Sequence, residues 1–457
     1  MTGTRSAPRA LLPRPLSPHA PRRLVLAFLA LGPAACGAGA DAGDGSVTAA
    51  VDTVDGVERL SYAAEPGPRL DWSTDTVAVL GDAFAEDAYQ FNNVRSDGLG
   101  GDDAGHLYVL DSQGKRVLEY GPDGGHRATH GRAGEGPGEL SQPMGLEVGP
   151  GDTVWVSDFS NRRITGLPSG GGDPVSIPFE EGAGIPSPRM AVLEDGFILR
   201  FSPLFNFRRD GSGQMRMSRG GQDEEAGPAR PLLPVVRMTR GLEPVDTLWT
   251  TPEPPMDMVQ LEAAGRFMVT MMSREFYPGL QWDAFSDGGI VVSDSAGYVL
   301  RLVDAGGTVR RIIRRDPPPR EATEADREAA RQRVRDEATG GGGVRIGGGG
   351  PDEETQRRLL EQRLEKMTFA ELIPRVVALR VDRSDRIWVG VSEETPDEVA
   401  RIDLYDRTGE LIGELRDFPM PDVFLAGDRI GVLREDELDV QQVVVMRVDG
   451  AGALAEL

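Results

Sequence analysis

The 457-residue chain contains a single cysteine, Cys36, and four histidines. One cysteine excludes an intramolecular disulfide and any cysteine-based metal cluster. His19, His106, His126 and His130 are too few and too badly placed for a histidine metal centre. There is no Gly-x-Ser-x-Gly elbow, no phosphate loop ending in Gly-Lys-Ser/Thr and no dinucleotide fingerprint. Basic residues are in deficit: 50 Lys and Arg stand against 73 Asp and Glu, for a formal charge of −23. So acidic a surface repels phosphate backbones and anionic headgroups, and no nucleic acid is expected as a partner. Helix formers are confined to one region, while Gly (59) and Pro (34) punctuate the rest, as in an all-β fold of short strands and turns.

Long apolar runs are missing apart from one near the N terminus. Arg22-Arg23 precede the eight apolar residues Leu24–Leu31, and Gly32-Pro33-Ala34-Ala35-Cys36 follow. A basic start, a short apolar core and small residues at the cut predict a secretory signal over 1–35, too short to span a bilayer. The lone cysteine directly after Ala34-Ala35 resembles a bacterial lipoprotein signal. That resemblance implies a lipidated Cys36 and an exported protein, anchored in the cell envelope on the periplasmic or outer-membrane side. It implies membrane contact through the lipid alone. Pro33 stands where that family usually has Leu, which leaves plain secretion as the alternative. Residues 37–50 are small and polar, so 36–70 is expected to be a flexible tether, with the folded domain at 71–457.

One short text then occurs twice. His106–Val117 and Thr153–Ile164 each carry an apolar run with one aromatic, an Asp three residues later, a polar turn, and an Arg five residues after the Asp. Tyr108 and Trp155 are 47 residues apart, a period expected of stacked or radial repeats. The apolar runs are continuous rather than alternating, as when both faces of a sheet are covered. The first unit covers about 94–129 and the second about 143–179. The link Gly131–Leu140 lacks the features of a phosphate loop and is expected to be a tight connection between units.

A third, degenerate unit pairs Met190–Leu193 with Phe197–Arg200, and takes its outer strands from Val235–Met238 and Asp246–Trp249 after a polar insertion. Residues 261–272 are Met-rich and could be an extra strand or a cover. The fourth unit runs from Trp282 to Ile313, the fifth from Val376 to Ile412, and the sixth from Val423 to Val448. The sixth runs out after three strands. Thr76–Leu80 can supply its fourth and close a ring, which removes an unpaired edge. Six units is the count, with five and seven as the alternatives. Between units four and five, 317–373 is helical. Thr323-Glu324-Ala325-Asp326 reads as a capping box and Pro351-Asp352 as a second helix start, with Leu360, Leu364 and Met367 on one face. The first helix, nearly polar all round, should project into solvent or need a partner. The insertion is either an interaction arm or a surface elaboration.

Val154–Asp158 with Asn161-Arg162-Arg163-Ile164 resembles the NHL repeat, and Gly131–Leu140 resembles a stretch common in bacterial six-bladed β-propeller lipoproteins. The resemblance implies an all-β, six-bladed β-propeller of four-stranded antiparallel blades. The repeat residues Asp111, Arg116, Asp158, Arg163 and Asp294 are expected to be structural: Asp caps the turn and pairs with Arg to hold a hairpin. The fourth unit departs at Val299 and the fifth at Val391. The function expected is a non-enzymatic scaffold without a cofactor, binding a protein, peptide or glycan on a propeller face. The alternative is a calcium-dependent hydrolase or lyase of the lactonase type. Such relatives gather Asp, Glu and Asn ligands in the central channel, where Asn92, Asn93, Asp97 and Asp283 would contribute.

Overall fold

Six four-stranded antiparallel sheets follow one another along the chain. The computed structural model describes residues 49–180, 184–202, 205–209, 215–219, 232–263, 266–339 and 352–450. Blade 1 comprises Leu99–Gly101, Leu107–Asp111, Arg116–Tyr120 and His126–His130. Blade 2 comprises Pro143–Gly149, Thr153–Asp158, Arg163–Pro168 and Val175–Pro178. Blade 3 comprises Ile185–Val192, Gly196–Ser202, Leu232–Thr239 and Pro244–Pro252, with the hairpin Phe205–Arg209 and Met215–Arg219 inserted after its second strand. Blade 4 comprises Gln281–Ala284, Ile290–Ser293, Val299–Val303 and Val309–Arg315. Blade 5 comprises Val376–Val381, Ile387–Val391, Arg401–Tyr405 and Leu411–Leu415. Blade 6 takes Val423–Leu425, Arg429–Glu435 and Gln441–Asp449 from the C-terminal end, and its outermost strand, Ser73–Leu80, from the N-terminal end. Ser73 lies opposite Asp449 and Leu80 opposite Val443. The molecule is the six-bladed all-β propeller expected, with its ring closed by exchange of the terminal strand.

The core is six inter-blade layers rather than one centre. Second strands such as Leu107–Asp111 and Ile387–Val391 are buried at every residue because neighbouring blades cover both faces, which is why they read as unbroken apolar runs. Blades 1 and 2 interdigitate Tyr108, Leu110 and Val117 with Leu146, Val154 and Val156. Trp155 meets Phe197 edge-on at 5.2 Å between blades 2 and 3. The last layer packs Val423, Leu425 and Val443 of blade 6 on Leu107, Val109 and Leu118 of blade 1.

One expectation changes and one pair of alternatives is decided. The tether placed at 36–70 is cut short, because Ala50–Val54 and Val57–Tyr62 form a hairpin that extends blade 4, with Val57–Tyr62 parallel to Val309–Arg315. The segment then crosses the rim of blade 5, where Leu70 N donates to the Glu414 carbonyl and Glu414 N to that of Pro68, before it enters blade 6. Its alternating text suits an outermost strand, buried on one face only. Second, of the two courses expected for the first inserted helix, α1 (Glu324–Thr339), the structure shows the one with a partner. Ala330 and Val334 pack with Leu364 and Met367, which belong to or follow α2 (Glu353–Glu365), and with Phe276 and Ile373 in a satellite core. The Met-rich segment is part of a hairpin, Met256–Ala263 and Arg266–Ser273, that supports α2: Gln362 exchanges hydrogen bonds with the backbone of Glu262 at 2.8 and 2.9 Å. The capping box is formed, with Asp326 N donating to Thr323 Oγ1 at 3.2 Å and Thr323 N to Asp326 Oδ2 at 2.8 Å. Cys36 and the signal lie outside the described residues.

Candidate functional site

The innermost strands of all six blades line one central cavity of about 570 Å³. Each blade presents an ionisable residue to it. Asp97 comes from the turn before blade 1, Glu147 from blade 2, Arg189 from blade 3, Asp283 from blade 4, Arg380 from blade 5, and Asp422 from the start of blade 6. Gly145 lets blades 2 and 3 approach here, since a Cβ on it would fall 1.9 Å from the Pro188 carbonyl oxygen.

Arg189 sits between the two acids that flank it. Its Nη atoms lie 3.2 Å from Asp97 Oδ1 and 3.2 Å from Asp283 Oδ1. Burial works against this guanidinium, but Asp283 and Asp97 outweigh it and hold the pKa above the ordinary arginine value. Asp283 Oδ2 also accepts from Val381 N at 2.9 Å, and Asp422 Oδ2 from Leu433 N at 2.8 Å. Glu147 reaches the cavity from between Leu146 and Val148 on the first strand of blade 2. Burial, reinforced by the charge of Asp283, pushes its carboxyl up to about 8, so it carries a proton at neutral pH. Arg380 contrasts with Arg189. It makes no ion pair among the described residues, one Nη donates to the Leu379 carbonyl at 3.0 Å, and its buried Nε has no partner. Burial depresses its pKa, as does Arg189, while Asp283, Asp97 and Asp422 pull it up through space.

These residues do not fit a calcium ion. Asp97 and Asp283 are already bridged by a guanidinium, the Asn92 side chain donates to Asp111 Oδ2, and Asn93 donates to Asp111 through its backbone N. Among the described residues no group of three or more His, Cys, Asp or Glu is placed to hold a metal. A second cavity of about 250 Å³ lies between blades 4 and 5, and its cations are committed. Arg401 and Arg416 pair with Glu393 at 2.7 and 3.0 Å, and Arg375 donates to the carbonyls of Pro318 and Ser392.

The repeat residues lie away from the central cavity. Asp111 is fully buried and accepts from the backbone of Asn92, Asn93 and Gly114, and from Arg116 Nε at 3.3 Å. Asp158, also fully buried, accepts from Ser141 N, Gln142 N and Asn161 N. Each ties the loop leading into its blade to the hairpin behind it. Arg163 differs from Arg116: it binds no Asp158 oxygen and clamps the carbonyls of Glu135, Gly136 and Glu139 in the Gly-rich link. Asp294 holds Arg301 Nη1 at 2.8 Å and Trp249 Nε1 at 3.0 Å, so the arginine absent at Val299 comes two residues later. A further repeat escaped the sequence reading. Asp102 accepts from His106 N, His106 Nδ1 and Tyr108 Oη, and Asp382 accepts in the same way from Arg386 N, Arg386 Nε and Trp388 Nε1.

Glu147, Arg189, Arg380 and Asp422 were likewise not anticipated. A signal existed for two of them. Glu147 lies opposite Trp155 and Arg380 opposite Trp388, each eight residues before its tryptophan, and Asp283 holds the same place opposite Val291.

No protein-family profile and no curated protein matches this chain. Among solved structures it is similar to a protein from Bacteroides fragilis described as exported, at 11% identity and a TM-score of 0.42, covering 86% of this chain and 99% of that one. Virginiamycin B lyase from Staphylococcus aureus gives 9% identity and a TM-score of 0.37, covering 82% and 99%. A luciferin-regenerating enzyme gives 12% and 0.34, covering 81% and 95%. Likeness at this level transfers no activity.

Proposed function

We propose that this chain is a non-enzymatic, envelope-anchored propeller that binds a small polar ligand in its central cavity. The observation that carries this reading is the ring of ionisable residues, at least one from each blade, in which Arg380 has no carboxylate partner among the described residues. A cavity of several hundred Å³ with a few convergent polar groups is the usual form of a small-molecule site. The ring also argues against a metal-dependent enzyme, because Arg189 occupies the place between the acids that would hold the ion. Glu147 supports a second reading as a hydrolase or lyase, since a carboxyl protonated near neutral pH can act as a general acid. Anchoring through Cys36 rests on the signal-like text alone.

Thermal unfolding of the protein against neutral sugars, amino acids, short peptides, lactones and calcium tests the reading, because a ligand that binds the native state raises the midpoint. A shift with an organic ligand, without turnover and without a difference between calcium and a chelator, is expected. Turnover of a lactone or ester would favour the second reading, and silence across the panel would end the first. Cys36→Ser should move the protein from the membrane to the soluble fraction.

A further inference from the structure

Arg189 and Arg380 enter the same cavity, yet only one has its charge answered. Arg189 is held by two carboxylates at 3.2 Å, whereas Arg380 forms no ion pair among the described residues and has a buried Nε with no acceptor. A guanidinium taken out of bulk water without a counter-charge is costly, and cavity water can hydrate it without neutralising it. The missing group is therefore an anion that comes and goes. Its shape follows from the guanidinium, a planar fork of donors that matches a carboxylate through two parallel hydrogen bonds.

The surroundings limit what that carboxylate can belong to. Asp97, Asp283 and Asp422 act on Arg380 through space, and with Arg189 paired the cavity keeps an excess of acid. A dianion would be repelled by them, whereas a ligand with a cationic end as well as a carboxylate answers both signs.

Building on the cavity-binding reading above, we propose that the cavity has a carboxylate subsite at Arg380 and that its ligand is a small zwitterion, a free amino acid or a short peptide. The carboxylate seats on the guanidinium and the ammonium faces the acids of the neighbouring blades 4 and 6 and of the turn before blade 1. Trp388, across the strand pair from Arg380, fixes the backbone that presents it: its side chain is fully buried and donates to Asp382.

The test uses the full-length protein with the twenty free amino acids and a set of tripeptides, each beside its C-terminal amide. At least one acid form should raise the thermal midpoint, and its amide should bind at least tenfold more weakly by calorimetry. Arg380→Gln should keep or raise the ligand-free midpoint, since it removes an unanswered charge, and should lose the ligand-dependent shift. A purely structural arginine would give the reverse, a lower midpoint with binding intact. If acid and amide bind alike, or Arg380→Gln binds as tightly as the parent, the subsite is overturned while the cavity reading stands. If no amino acid or peptide binds but a neutral sugar does, the zwitterion is again overturned and the cavity reading survives. Silence across both sets overturns the two together.

Discussion

Replacing Arg189 by methionine removes the charge on which the cavity's acids depend. The guanidinium lies 3.2 Å from each of two carboxylates, and all three side chains are less than a quarter exposed. Methionine keeps the apolar stem and leaves Asp97, Asp283 and Glu147 facing one another. Orphaning a fully buried pair costs about 3–5 kcal/mol, and because these side chains are only partly buried a loss of about 2–3 kcal/mol is expected. Arg189→Met combined with Asp97→Asn and Asp283→Asn should regain most of it, since neutral amides need no counter-charge. Urea unfolding followed by tryptophan fluorescence reads the change, because Trp155, Trp282 and Trp388 are buried in the inter-blade layers. A loss below about 0.5 kcal/mol, within the range of ordinary surface changes, or a triple variant no more stable than the single one, would refute the reasoning.

Glu147 predicts a pH dependence. Its carboxyl is raised from 4.5 to about 8, so between those values the native state holds a proton that the unfolded chain has released, and stability falls as pH rises through that window. At about 1.4 kcal/mol per unit the full effect would approach 5 kcal/mol, and because Glu147 is only half-buried about 2–4 kcal/mol is expected. Glu147→Gln should flatten the slope, and urea midpoints at pH 5 and 9 that move in parallel with the parent would exclude this. Deleting residues 49–80 should expose the Gln441–Asp449 edge and uncover Val443 and Val445. Aggregation in size exclusion with light scattering is expected, and a monomer of unchanged thermal midpoint would contradict the closure.

Much of the architecture was legible because the second strands of blades 1, 2, 4 and 5 are covered on both faces. Val154–Asp158 and Ile387–Val391 leave no residue exposed, and their text says so. The innermost strands were harder. Leu99–Gly101 has three residues, and Pro143–Gly149 and Val376–Val381 interrupt their apolar text with the charges that face the cavity. The cavity residues were hidden for that reason: a lone Glu or Arg in a half-apolar stretch looks like any solvated position until closure of the ring sets it against five others. Asp97 and Asp283 were named only as contributors to a calcium site in the alternative reading, and their partner Arg189 comes from the degenerate third blade. Composition left open whether α1 projects or takes a partner, because only two small or branched residues, Ala330 and Val334, seat it on α2.

The segment from Ala50 to Leu80 runs as a belt over three consecutive blades. It lies parallel to the last strand of blade 4, touches the last strand of blade 5, and becomes the last strand of blade 6. Tension applied at residue 49 therefore meets these attachments in series. The outer hairpin opens first, one pair at a time from Ala50–Ser61 towards Val54–Val57. The parallel pairing on blade 4 follows, then the contacts of 67–70 with Glu414. Only after these does load reach the seven pairs that close the ring. The order of attachment thus sets the outer hairpin, the blade 4 pairing and the blade 5 contacts ahead of the strand that closes the ring.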